Sequence, residues 1–175
     1  MASLLDMVLG QQNSGAVEQV AKSLNIDPAD ALKGLGSLLP ALQGGMKKNI
    51  SQQGGLESLL EALNQDRNSR YIDSPELLDQ QSSIDNGNSI LGHILGTKDR
   101  SREVAREASQ QTGLDSSLLK KLLPMAATIF MGSLSKKQAE EPMGRNPNLL
   151  ESILDSDGDG SMMDDLLGMA GEFFR

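Results

Sequence analysis

Near the C-terminal end of the chain three carboxylates alternate with small residues: Asp155, Asp157 and Asp159, followed directly by Gly160 and Ser161. Calcium is a hard cation that takes six to eight oxygen ligands. Carboxylates at alternate positions converge on one point when the chain turns sharply, and a glycine after the third permits that turn. Ser161 falls where such a loop supplies a backbone carbonyl. The segment therefore matches the first two-thirds of an EF-hand loop. Beyond it the pattern departs: Leu166 stands where the closing glutamate belongs, Met163 precedes it, and acidic groups come at Asp164 and Asp165. A shortened loop closed by Asp165, a carboxylate from elsewhere, or water would each complete the shell. The candidate calcium ligands are Asp155, Asp157, Asp159, Ser161 and Asp165.

A helix start competes with this reading. Ser161 would then be the N-cap, with Asp164 completing a variant capping box and Asp164 and Asp165 facing the helix dipole. Magnesium or manganese is a third option. A cap needs one carboxylate, however, whereas Glu151 to Glu172 holds seven acidic residues and no basic one, a stack whose repulsion calls for a counter-charge. Metal bound there would order a C-terminal helix with Met162, Leu166, Met169 and Phe173 on one face.

Other chemistry is sparse. His93 is the one histidine, and Cys is absent, which excludes a thiol nucleophile and zinc sites of the cysteine type. His93 sits within the apolar pattern Ile90, Leu91, Ile94, Leu95 and reads as a packing or capping residue. A general base would need a partner to orient it, and Asp85 and Asp99 are near only in sequence. The pairs Gly44-Gly45 and Gly54-Gly55 lack the flanking residues of a phosphate-binding loop and read as helix ends or close-packing positions. No enzymatic activity is expected. The nine methionines read chiefly as core filling, and as adaptable contact surface in the alternative.

Two segments, Val17 to Leu39 and Val104 to Leu123, have a helix-turn-helix outline, the alternative being a solvated helix face. A second helix that reads base edges presents Arg, Lys, Asn or Gln; the first copy offers Asp30 and Lys33, the second Lys120 and Lys121. Lys98, Arg100, Arg102 and Arg106 form a modest basic cluster. Against these stands a net charge of −8, from 16 basic and 24 acidic residues, which opposes nucleic acid and anionic membranes alike.

The elements that would carry these residues are helical. The chain is 38% hydrophobic but only 2% aromatic, so the core is aliphatic, which suits helices better than sheets. Apolar residues recur at helical spacing: Leu4, Leu5, Val8 and Leu9; Val17, Val20, Ala21 and Leu24; Ala31, Leu35, Leu38 and Leu42; Leu56, Leu59, Leu60 and Leu63. Breaks fall at Gly10, Asn25 to Pro28, Gly44-Gly45 and Gly54-Gly55, with Asp27-Pro28 a helix start. The order then recurs: Ile90-Leu91 with Ile94-Leu95-Gly96 repeats Leu4-Leu5 with Val8-Leu9-Gly10, Leu122-Leu123-Pro124 repeats Leu38-Leu39-Pro40, and Leu150-Glu151-Ser152 repeats Leu56-Glu57-Ser58. Pro40 and Pro124 each predict a kinked or divided helix. The expected fold is all-α: two related helical modules arising by internal duplication, with kinked apolar helices and a short C-terminal helix. Module one covers 1–63, a polar connector 64–89, module two 90–154, and the acidic loop with its helix 155–175. Within the connector only Ser74-Pro75-Glu76 starts a short helix. The longest apolar stretch, Leu122 to Leu134, falls short of the roughly 20 residues that span a bilayer and predicts a buried core helix. The N-terminus carries no signal-peptide pattern.

Several of these segments together resemble a bacterial family known only as a domain of unknown function, related to the YidB-like helical proteins. The likeness rests on Leu38-Leu39-Pro40-Ala41-Leu42 with Gly44-Gly45, on Asn88-Ser89-Ile90-Leu91-Gly92-His93-Ile94-Leu95-Gly96, on Gln111-Thr112-Gly113-Leu114-Asp115 and on Leu122-Leu123-Pro124-Met125. The tail Asp157-Gly158-Asp159-Gly160-Ser161, leading to Asp164-Asp165-Leu166, completes it. The resemblance implies an all-helical bacterial protein and no assigned activity. The function expected is that of a non-enzymatic cytoplasmic protein that binds a protein partner, with calcium as ligand; a helix-turn-helix nucleic-acid binder is the alternative.

Overall fold

A computed structural model describes residues 8–64 and 68–140. Among these residues every element is helical. A 3-10 turn, Gln11–Asn13, leads into α1 (Ser14–Leu24), which α2 (Pro28–Ile50) and α3 (Gly55–Asn64) follow. The short α4 (Arg70–Asp73) and a 3-10 turn (Pro75–Asp79) precede α5 (Gln81–Ile94), α6 (Lys98–Thr112) and α7 (Ser116–Glu140).

The apolar stripes place the helices as their spacing predicts. Val17, Val20 and Ala21 of α1 are buried, and Ala31, Leu35, Leu38 and Leu42 of α2 are each fully so. Asn25 ends α1 in the left-handed region at φ 54°, a conformation asparagine tolerates better than most residues. There the Ile26 N–H closes the helix by donating to the Ala21 carbonyl at 3.0 Å. Pro28 opens α2 with Asp27 in the extended N-cap position, but the Asp27 carboxylate makes no capping hydrogen bond. At the start of α6 the Thr97 hydroxyl does cap, accepting from the Arg100 N–H at 3.2 Å.

The organising element is α7. From Leu122 to Ser135 every residue is buried, so the helix is covered all round rather than along one stripe. It packs against α5 and α6, and also against α1, α2, α3 and α4. Buried apolar side chains from Val8 to Leu134 form one continuous core. By length and composition α7 would reach across a bilayer, yet 78% of its apolar window lies buried inside the protein. It is the core helix that the sequence predicted.

Three expectations need correction. Gly44-Gly45 does not break α2, which runs on to Ile50. A Cβ on Gly45 would stand 2.8 Å from the Ile94 carbonyl oxygen, so this glycine serves close approach to the end of α5. Neither Pro40 nor Pro124 divides its helix, and the two matched positions differ in setting, Pro40 exposed and Pro124 buried. Finally, Gln81 to Ser89, read as connector, are the first part of α5. This stretch turns Ser83 and Gly87 toward the core, small residues that leave no apolar stripe in the sequence. The Gly54-Gly55 break is present, with Gly54 at φ 77°.

Candidate functional site

The calcium ligands expected at Asp155, Asp157, Asp159, Ser161 and Asp165 lie outside the described residues. Among the described residues, no three His, Asp or Glu side chains come together as a metal site would require. His93 is exposed on the last turn of α5. Its neighbours in sequence are engaged elsewhere: Asp85 accepts from the Gln81 side chain at 3.0 Å, and Asp99 pairs with Arg102 at 3.2 Å. Neither orients the imidazole.

Both helix-turn-helix outlines are present as helix pairs, α1 with α2 and α6 with α7, each joined by three residues. In the second pair α7 has Ser117, Lys120 and Lys121 exposed, is buried from Leu122 to Ser135 and emerges again only in its last turn. It therefore offers a partner only its two ends. Along α6 the exposed Lys98, Arg100, Arg102 and Arg106 alternate with exposed Asp99, Glu103 and Glu107, so the basic cluster is substantially self-neutralised.

The structure brings together a set of residues that the sequence reading did not single out. α3 and α5 both lie on α7, and a groove of about 610 Å3 runs between them, with Met131 of α7 among its lining residues. The end of α2 and the turn after it close one side. That turn depends on its glycines: Gly54 adopts positive φ, and Gly55 is pressed against the Asn49 carbonyl, where a Cβ has no room. The lining carries five carboxamides, those of Asn49, Gln52, Gln53, Asn68 and Asn86, and the hydroxyls of Ser58 and Ser89. Met46, Leu59, Ile90, Ile94 and Met131 supply its apolar part. Among the described lining residues none is Asp, Glu, Lys, Arg or aromatic apart from the imidazole of His93.

Two hydrogen bonds set the edges. The Asn49 Nδ2 donates to the His93 carbonyl at 2.9 Å, satisfying one of the carbonyls that a helix end leaves unpaired. Asn86 Nδ2 donates to Asn68 Oδ1 at 2.7 Å. Asn68 is only 7% exposed, and its own carbonyl accepts from Tyr71 N–H at 3.1 Å. A Cβ at Gly132 would stand 2.7 Å from that carbonyl oxygen, so Asn68 is held firmly over α7. On the far side of Asn49 and His93 lies a second groove of about 650 Å3, which unlike the first is lined by Lys48, Arg100, Glu103 and Glu107.

Chemically the described lining of the first groove offers hydrogen-bond donors and acceptors, two hydroxyls and one imidazole beside an apolar floor. Polar residues at 49–53 and 81–89 were the available signal, and they read as loop because hydrophilic amides mark turns and binding surfaces alike.

The family model described as "Bacterial protein of unknown function (DUF937)" matches residues 6–137. No curated protein and no solved structure matches the chain.

Proposed function

We propose, from the premise that the chain belongs to this bacterial family of unknown function, that it is a non-enzymatic binding module whose groove between α3 and α5 receives a segment of a partner polypeptide. The observation that carries the reading is the pairing of five carboxamides with an apolar floor and, among the described residues, no charged lining residue. A carboxamide presents a donor and an acceptor side by side, as a peptide group does, and methionines accommodate varied apolar side chains. Phosphorylated or nucleotide ligands would call for Arg or Lys at the contact. Selection of displayed peptides on the full chain tests this. Peptides with uncharged central residues should be enriched, and Ser58→Arg, which fills the groove from an exposed position, should weaken them at least about tenfold. Peptides indifferent to Ser58→Arg, or charged throughout, refute it.

The spacing Asp155-Ser156-Asp157-Gly158-Asp159-Gly160 supports a second reading, calcium bound at the C-terminal loop. Calorimetry should give a dissociation constant below millimolar that Asp155→Ala abolishes. Absence of heat from the unaltered protein, or undiminished binding by Asp155→Ala, ends this reading without touching the first.

A further inference from the structure

Within the groove, the Asn68–Asn86 pair is only half closed. Two carboxamides facing each other can make two hydrogen bonds, each donating once and accepting once. Here Asn86 Nδ2 donates to Asn68 Oδ1, but the reciprocal bond from Asn68 Nδ2 to Asn86 Oδ1 is not formed, and neither atom has another partner among the described residues. Among the described residues the side-chain polar atoms sealed away without a partner are the hydroxyls of Ser23, Ser83 and Ser135. The Asn68 nitrogen is not among them, and both residues line the groove. The pair thus leaves one donor and one acceptor unengaged at the groove lining. Reversing both amides exchanges the roles of the two residues and leaves the same pattern.

We infer that the Asn68–Asn86 pair is a specificity-determining subsite that takes an amide group of the bound segment, its C=O accepting from Asn68 Nδ2 and its N–H donating to Asn86 Oδ1. This rests on the groove being the binding site. Asn68 is suited to the role because burial fixes it, so little side-chain freedom is lost on binding. A carboxylate offers acceptors only and sets an oxygen against Asn86 Oδ1, and a site built around a donor–acceptor pair rejects a ligand lacking one member. The amide can come from the backbone or from an Asn or Gln side chain.

NMR titration of the full chain separates these sources. The probes are N-methylacetamide for the backbone, propionamide for a side chain, and propionate as the isosteric acid. At least one amide should give saturable shifts at the Asn68 and Asn86 side-chain NH2 signals, with propionate at least about tenfold weaker. Saturation by one amide alone identifies the source. Asn86→Asp removes the donor of the existing bond; with the Asn68 amide reversed, its Nδ2 donates to the new carboxylate and two acceptors are left at the groove, which should abolish the amide response. Asn86→Leu, which removes the polar group altogether, should do the same if the acidic variant folds poorly. Equal binding of propionate, or amide binding unchanged in either folded variant, overturns the inference. Selected peptides that are sensitive to Ser58→Arg but indifferent to Asn86→Asp would leave the groove reading standing and remove only this subsite.

Discussion

Two glycines in one helix should respond oppositely to the same added methyl group. Gly87 and Gly92 both lie within α5. A Cβ at Gly92 meets nothing within 4 Å, whereas at Gly87 it would fall on the backbone carbonyl of Pro124. In an open helical position Gly→Ala is stabilising, by about 0.5–1 kcal/mol, and the lower figure suits Gly92 because α5 ends at Ile94. The same intrinsic gain applies at Gly87, but the obstacle there is main chain, not the flexible end of a side chain. α5 must therefore move bodily away from α7, the helix against which it packs most extensively. Overpacking of this kind costs about 1–3 kcal/mol or more. After the propensity gain is subtracted, Gly87→Ala should lose up to about 2.5 kcal/mol, while Gly92→Ala gains about 0.5. Urea unfolding followed by far-ultraviolet circular dichroism measures both against the unaltered protein. A Gly87→Ala protein as stable as Gly92→Ala would refute the close crossing of α5 and α7, and with it the reason offered for the missing apolar stripe at the start of α5.

Leu122→Ala should destabilise by about 2–5 kcal/mol, since Leu122 is fully buried, and Leu32→Ala by no more than about 0.5, since Leu32 is 43% exposed; the same unfolding curves decide both. Asn49→Ala removes the donor to the His93 carbonyl and should cost about 1 kcal/mol, together with faster amide hydrogen exchange in the last turn of α5. Asp115 accepts hydrogen bonds from the backbone N–H and the hydroxyl of Ser117, the backbone bond first among the causes that hold its carboxyl below its ordinary value of 3.8. A lowered folded-state value means stability that is present above 3.8 and lost as pH falls through the folded-state value. The difference in melting temperature between the unaltered protein and Asp115→Ala should accordingly be full near neutrality and shrink on acidification below that point; a difference that grows there would contradict the sign.

Helical spacing located α1, α2 and α3, because each presents large aliphatic side chains at the period of a turn, and the continuous apolar run from Leu122 to Leu134 located the core of α7. The signal weakened where the inward face is made of small or polar residues. Ser83 and Gly87 admit α7 by being small, so the start of α5 looked like loop. Gly45 looked like a terminator because a glycine that allows close approach and a glycine that ends a helix are the same letter; what separates them is the Ile94 carbonyl, 49 positions further along the chain and beside it in space. Tyr71, Ile72 and Leu78 are buried in elements too short to show a period. The groove was hidden for a related reason. Its residues come from α2, α3, α5, α7 and Asn68, and no local pattern announces that Asn49, Asn68 and Asn86 will share a wall.

The open side of the Asn68–Asn86 pair is difficult to explain as a stability device. Closing the pair with its second hydrogen bond would add about 0.5–1.5 kcal/mol net, the Asn68 nitrogen being accessible at the groove. Selection for stability alone would close the pair with a second bond or substitute an aliphatic residue over α7, as happens at Leu59 and Ile90 nearby. The fold instead fixes Asn68 through Tyr71 and the glycine at 132 and leaves its nitrogen facing the groove. Local choices that work against stability are concentrated where a protein does something other than fold. An incoming amide makes good the missing bonds, so the arrangement that weakens the empty protein is also the one that would discriminate between ligands.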